Sequence, residues 1–184
     1  MKSTYAPALL GAALTLLLAA CIPGTPVPTA TPAPTASPTA TFTTSTEFVS
    51  AAWLAFGAND FARARSLAQE CVDRWKNEAV RQQAALTQAP PKGTVSEADK
   101  NVILANWALN DVASAYYIIG QSAEKQAKID EAKAAYKKVQ TFPYARAWDP
   151  KGFFWVPADS ASDNLTRPTV MPFEALVKLI ASSV

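Results

Sequence analysis

The spacing of apolar residues across residues 106–140 constrains this chain more than any other feature. Leu109, Val112, Ala113, Tyr116, Ile119, Gly120 and Ala123 recur at intervals of three and four. That spacing predicts a helix over 106–126 with one apolar face. Ile129, Ala132, Tyr136 and Val139 repeat the pattern over 128–140, with Lys133, Lys137 and Lys138 on the other side. Small residues alternate with aromatic ones on the facing sides, so the two helices can approach closely and interlock. The prediction is an all-α fold built from antiparallel helix pairs.

A weaker copy of the pattern lies upstream, from Ser45 to about Gln88. A helix through Phe48, Trp53 and Phe56 ends in the turn at residues 57–60, where Asn59 or Asp60 can cap a helix beginning at Phe61. Ala64, Leu67, Ala68, Cys71, Val72 and Trp75 form its apolar face. Aligning Ala64 with Ala132 sets Phe48 against Tyr116 and Cys71 against Val139. Between the copies, residues 89–93 break the helix, and Ser96 with Asp99 resembles a capping box that starts the next one. From Lys100 onward apolar residues occupy nearly all sides, which predicts a central helix covered from two directions. After Val139, Pro143, Pro150, Pro157 and Gly152 prevent a continuous helix, so 142–157 reads as an aromatic-rich irregular loop. A last helix, with Pro172 in its first turn and Phe173, Leu176, Val177 and Ile180 on one face, is expected to cap the end of the array.

The 106–140 pair resembles a tetratricopeptide repeat, whose 34-residue unit carries an aromatic, a Leu-Gly pair and a small residue, then Ala, an aromatic and a small residue. Here Tyr116, Ile119-Gly120 and Ala123, then Ala132, Tyr136 and Val139, take those roles. Ala127 stands where the turn usually has Gly, and Pro143 comes one place early. The offset from Ala64 to Ala132 is two such units, although the middle one is not recognisable. The resemblance implies a short tetratricopeptide-like array over residues 47–184 that binds a protein or peptide.

The N-terminus carries a different message. Lys2 is the only charge before an apolar run over residues 8–20, which ends in Leu18-Ala19-Ala20-Cys21. This describes a signal peptide over residues 1–20, too short and wrongly flanked to be a spanning helix. The tetrad is similar to the bacterial lipoprotein box. That resemblance implies a diacylglycerol on the Cys21 thiol, often with a third chain on the amine. Two or more chains hold a protein firmly on a lipid bilayer. Residues 22–46 contain six Pro and nine Thr and predict an extended polyproline II tether, so 21–46 form the anchor and its leash. The expected localisation is the cell envelope, lipid-anchored. By resemblance to the lipoprotein sorting rule, Ile22 after the cysteine implies the outer membrane of a two-membrane cell, and otherwise the outer face of the plasma membrane. Removing residues 1–20 takes Lys2 with them and lowers the net charge from +2 to +1, so no nucleic-acid partner is expected.

The chain has no histidine, which excludes Ser-His-Asp and Cys-His nucleophiles and imidazole zinc sites. With Cys21 acylated, Cys71 is the remaining thiol, read as packed and inert. No metal or cofactor is expected. Only carboxylate chemistry survives, and nothing singles out a pair among Asp111, Glu124, Asp149 and Asp159. The chain reads as non-catalytic.

The segments Trp-Ala-Leu-Asn-Asp-Val-Ala from Trp107, Tyr-Ala-Arg from Tyr144, Trp-Asp-Pro-Lys-Gly from Trp148 and Phe-Trp at 154–155 resemble a group of bacterial tetratricopeptide-repeat proteins, some labelled beta-glucanase precursors. This resemblance implies an alternative, glycan binding or weak beta-glucan hydrolysis, although no Glu-x-Asp-x-x-Glu pattern is present. Aromatic rings stack on sugar faces, so Trp148, Phe153, Phe154 and Trp155 offer a platform, with Arg146 and Asp149 as hydrogen-bonding groups. The competing reading folds those rings over the helix ends as core, with Arg146 paired to Asp149 or Asp111. Asn110-Asp111 inside a helix is unfavourable by propensity and points to a local hydrogen-bond network. The candidate ligand-binding residues are therefore Asp111, Arg146, Trp148, Asp149, Phe154 and Trp155. The lysines from Lys125 to Lys138 are expected to form a solvated face paired with Glu124, Asp130 and Glu131.

Overall fold

A computed structural model describes residues 42–167 and residue 181. The signal segment, Cys21, most of the tether and the expected helix at Pro172 lie outside the described residues. Among those residues the chain forms α1 (Ser45–Gly57), α2 (Phe61–Ala85), α3 (Glu97–Ala105), α4 (Trp107–Lys125), α5 (Ile129–Val139), β1 (Ala147–Asp149), β2 (Phe153–Trp155) and α6 (Pro157–Thr166). The all-α expectation holds, with one small hairpin added.

Helix α1 starts with a reciprocal capping box. The Glu47 amide donates to the Thr44 hydroxyl, and the Glu47 carboxylate accepts from the Thr43 and Thr44 amides at 2.8 and 2.9 Å. Those amide bonds hold its carboxyl down at about 2. Phe42 packs edge-on against Phe48, so folded contacts begin before α1 itself.

The two helix hairpins turn in the same way. In the first, the Asn59 amide donates to Phe56 O and the Asp60 amide to Ala55 O, at 3.0 and 2.9 Å. In the second, the Ala127 amide donates to Glu124 O and the Lys128 amide to Ala123 O, both at 2.9 Å. Each is a helix C-terminus closed by a left-handed residue, Asn59 at φ 61° and Ala127 at φ 57°. A third left-handed residue, Gly93 at φ 84°, lies halfway between them. Asp60 also caps α2, accepting from the Arg63 amide at 3.0 Å.

Helix α4 is the central element, packed by α1 and α2 on one side and by α5 and α6 on the other. Gly120 lets α5 come close, because a Cβ there would lie 2.5 Å from the Tyr136 ring. The Tyr136 hydroxyl donates to Glu124 at 2.7 Å, and burial, reinforced by that carboxylate, pushes its pKa upward. Cys71 is fully buried between α1 and α4. Burial raises its thiol pKa, and the nearby Asp111 charge adds to the effect.

Three expectations need correction, and one helix comes in addition. The apolar stretch after Lys100 is not one covered helix: α3 and α4 meet at a 74° bend, and Val102 and Leu104 stay exposed. Asn106 makes the break, its side chain donating to Val102 O at 2.9 Å, while Asn110 donates to Ile103 O at 2.7 Å. These amides satisfy carbonyls at the end of α3 that a continuous helix would have bonded itself. Residues 142–157 are not irregular throughout, since Ala147 pairs with Trp155 and Asp149 with Phe153. The Gly152 amide donates to Asp149 O at 2.9 Å, and Gly152 at φ 96° closes a three-residue turn headed by Pro150. The chain then enters α6, which the apolar spacing does not announce, with Pro157 in its first turn. Lastly, the acids near the lysine face are used elsewhere: Glu131 pairs with Arg65 and Glu124 accepts from Tyr136.

Candidate binding groove

One face of α1, the α3–α4 bend and the β1–β2 hairpin enclose a groove of about 870 Å³. Thr46, Val49, Ser50, Trp53 and Leu54 line it at the three- and four-residue spacing of a single helical face. Opposite them stand Leu104 and Trp107 at the bend, with Asn110, Asp111 and Ser114 one to two turns further along α4. The hairpin closes the third side. All six candidate residues named from the sequence line this groove, but they play different parts.

Trp148 and Trp155 present rings to it. Trp148 is half exposed, braced edge-on by Phe154 at 4.9 Å, with the Lys100 ammonium 5.6 Å from its ring. Trp155 rests against Tyr117 at 5.1 Å. Phe154 is a buried support whose backbone exchanges hydrogen bonds with Gly93 at 2.7 and 2.9 Å. Asp149 accepts from the Lys151 amide at 2.8 Å and so holds the hairpin turn.

Arg146 pairs with neither Asp149 nor Asp111. Its guanidinium is buried and donates to main-chain carbonyls: Nε to Pro90 O at 2.8 Å and Pro91 O at 3.2 Å, Nη1 to Ala145 O at 2.8 Å and Pro143 O at 3.3 Å, and Nη2 to Pro90 O. The Pro-Pro loop before α3 needs donors because its carbonyls face the interior, and Arg146 supplies them. Burial lowers the Arg146 pKa, partly offset by Asp159. The Arg146 amide donates to Asn110 Oδ1 at 2.8 Å, which explains the Asn110 side chain inside α4. Arg146 therefore rivets the groove wall.

Asp111 sits on the groove floor. Its Oδ2 accepts from Ser45 Oγ at 2.5 Å and Thr46 Oγ1 at 2.9 Å, fastening the start of α1 to α4. Burial raises its carboxyl pKa, and the two hydroxyl bonds pull the other way. The Asn110-Asp111 network expected from the sequence is thus present in both halves.

Sequence reasoning missed Trp53, Leu54, Leu104 and Trp107 as groove residues. Periodicity assigns Trp53 and Leu54 to the α1 apolar run, and Leu104 and Trp107 to a helix expected to be covered. Leu54, whose side chain is 76% exposed, carries a usable signal: it lies off the α1 stripe formed by Phe48, Ala52 and Ala55. Among the described residues no group of His, Cys, Asp and Glu gathers to hold a metal ion. Comparison with protein-family models, with curated proteins and with solved structures finds no match to this chain.

Proposed function

We propose that this chain is a lipid-anchored, non-catalytic helical-repeat module that binds a peptide segment of another cell-envelope protein in the groove beside α1. One observation carries the reading. Four of the chain's five tryptophans, Trp53, Trp107, Trp148 and Trp155, line this single cavity. Leu54 and Leu104 join them, and with Trp107 and Trp148 they are exposed apolar side chains gathered in one place. Concentrated exposed apolar surface marks interaction sites, and tryptophan dominates binding hot spots.

The groove's polar groups favour a peptide over a glycan. Arg146, Asn110 and Ser114 are committed to the main chain and one Asp149 oxygen to its own turn, which leaves few free groups beside Asp111 for a sugar's many hydroxyls. A sugar presents a hydroxyl at nearly every carbon, and the aliphatic Leu54 and Leu104 offer such groups no partner. Glycan binding or weak beta-glucan hydrolysis through Trp148–Trp155 is the second reading, supported by the half-exposed Trp148 ring.

The tetratricopeptide-like architecture belongs to the same proposal. It is supported by left-handed residues at 59, 93 and 127, two successive intervals of the 34-residue unit. It is supported too by the starts of α2 and α5, at Phe61 and Ile129, which are offset by the same two units. In this reading the middle unit has lost its first helix to the extension of α2, and α3 stands for its second. The anchor at Cys21 and the tether over residues 22–46 complete the reading by holding the module at the envelope surface.

A photo-crosslinking amino acid at Leu54 in the living cell tests the binding reading. The expected result is a discrete protein adduct at Leu54 and none at Val80, which is exposed but outside the groove. Equal labelling at both positions, or none at either, overturns it. Metabolic labelling with an alkyne fatty acid tests the anchor: incorporation is expected in the native chain and lost in Cys21→Ser.

A further inference from the structure

We infer that the groove selects a peptide whose basic side chain, flanked by apolar residues, is received by the second carboxylate oxygen of Asp111; the inference rests on the peptide-binding reading above. Both hydroxyl donors from α1 use Oδ2, and among the described residues no donor reaches Oδ1. Asp111 lines the groove, and its oxygens are not among the enclosed, unpartnered polar atoms, so Oδ1 keeps some contact with solvent water.

An occupant would strip that water away. An unpaired carboxylate oxygen taken out of water carries a large cost, so an occupant that binds well must bring a donor, and a cation meets the need best. The five ion pairs among the described residues involve neither Asp111 nor Asp149. Arg146, the one cation in the lining, points its guanidinium at Pro90, Pro91, Pro143 and Ala145. Two carboxylates against one committed guanidinium leave the lining negative, and the Lys100 ammonium beside Trp148 is itself paired with Glu97. The indoles of Trp53, Trp107 and Trp155 add in the same direction, because aromatic faces attract cations. Leu54 and Leu104 then take the apolar neighbours of the basic residue. An acidic peptide meets only repulsion.

The test pans a phage-displayed random dodecapeptide library on the full-length lipidated chain in nanodiscs, in parallel with its Asp111→Asn and Trp107→Ala variants. Asn keeps a carbonyl oxygen for Ser45 and Thr46 while removing the charge, and circular dichroism checks that both variants remain folded. Wild type is expected to enrich peptides with Lys or Arg between apolar residues. Asp111→Asn should still enrich apolar peptides without the basic preference and bind the wild-type winners at least about tenfold more weakly. Trp107→Ala should weaken binding of every winner. Apolar winners without a basic residue on wild type overturn the Asp111 inference and leave the groove reading standing. Failure to enrich any peptide, with binding of beta-glucan oligosaccharides instead, overturns both.

Discussion

Asn59 and Ala127 occupy the same left-handed position in the turns of two separate helix hairpins, with φ of 61° and 57°. In each turn the amides of the left-handed residue and of the residue after it donate to carbonyls at the same two helical positions, Phe56 and Ala55 in one, Glu124 and Ala123 in the other. Asn tolerates this conformation, whereas Ala pays a steric penalty because its Cβ approaches the following carbonyl. Ala127→Gly is therefore expected to raise unfolding free energy by about 1 kcal/mol. Asn59→Gly should gain less. Urea denaturation of the two variants compares them directly.

Glycine has opposite meanings at two helical sites. A Cβ on Gly120 would lie 2.5 Å from Tyr136 Cε1, and that ring is buried and cannot swing aside. A Cβ on Gly57 would meet nothing within 4 Å. Gly120→Ala should lose about 1–3 kcal/mol through overpacking, more than the ~1 kcal/mol that helix propensity returns. Gly57→Ala should keep the propensity gain. Opposite shifts in thermal midpoint are the expected result.

Arg146 ties its own segment to the Pro-Pro loop, bonding Pro90 and Pro91 as well as the neighbouring Pro143 and Ala145. Arg146→Ala leaves several inward-facing carbonyls without donors and should cost about 3 kcal/mol or more. Arg146→Lys keeps the charge but not the fork, so it should recover only part of the loss. Hydrogen exchange would localise the effect: the Phe154 and Gly93 amides, which bond each other's carbonyls, should lose protection first.

Asp111 has its carboxyl pKa raised by burial, so the folded state holds its proton more tightly than the unfolded chain does. Its charge therefore costs stability above the folded pKa, and that cost fades as pH falls towards the unfolded value of 3.8. Asp111→Asn should be as stable as wild type or more so at pH 7, with the difference shrinking in acid. Glu47 has the opposite sign. Its carboxyl is held down at about 2, so its contribution is complete above the unfolded value of 4.5 and disappears as pH falls through about 2. Chemical denaturation of Asp111→Asn and Glu47→Gln from pH 7 to pH 2 separates the two effects.

Local chemistry is legible from the residues alone. The Asp60 and Ser96 caps and the close-packed Gly120 act within a few residues or across one hairpin, so spacing and side-chain type reveal them. Sequence reasoning missed the Thr44–Glu47 box, although its Thr-x-x-Glu spacing is the same kind of signal. The Asp149-Pro150-Lys151-Gly152 turn is legible too, since Pro followed by Gly two residues later between aromatic triplets signals a short hairpin as readily as a loop. Counting prolines only as helix breakers hides it.

Periodicity and capping are short-range physics: they specify the two helix hairpins and the offset between them, but neither the α3–α4 bend nor α6. The residues around the aromatic segment are marked by ring chemistry and a family resemblance. Packing between distant segments settled what those residues do. Arg146 met carbonyls rather than carboxylates because a Pro-Pro loop about 55 residues upstream crosses its path. Trp53 and Trp107, one in the first hairpin and one at a bend that two asparagine side chains create, line one cavity with Asp111 only when α1 packs on α4. A groove is a relation between distant segments, and no interval along the chain encodes that distance.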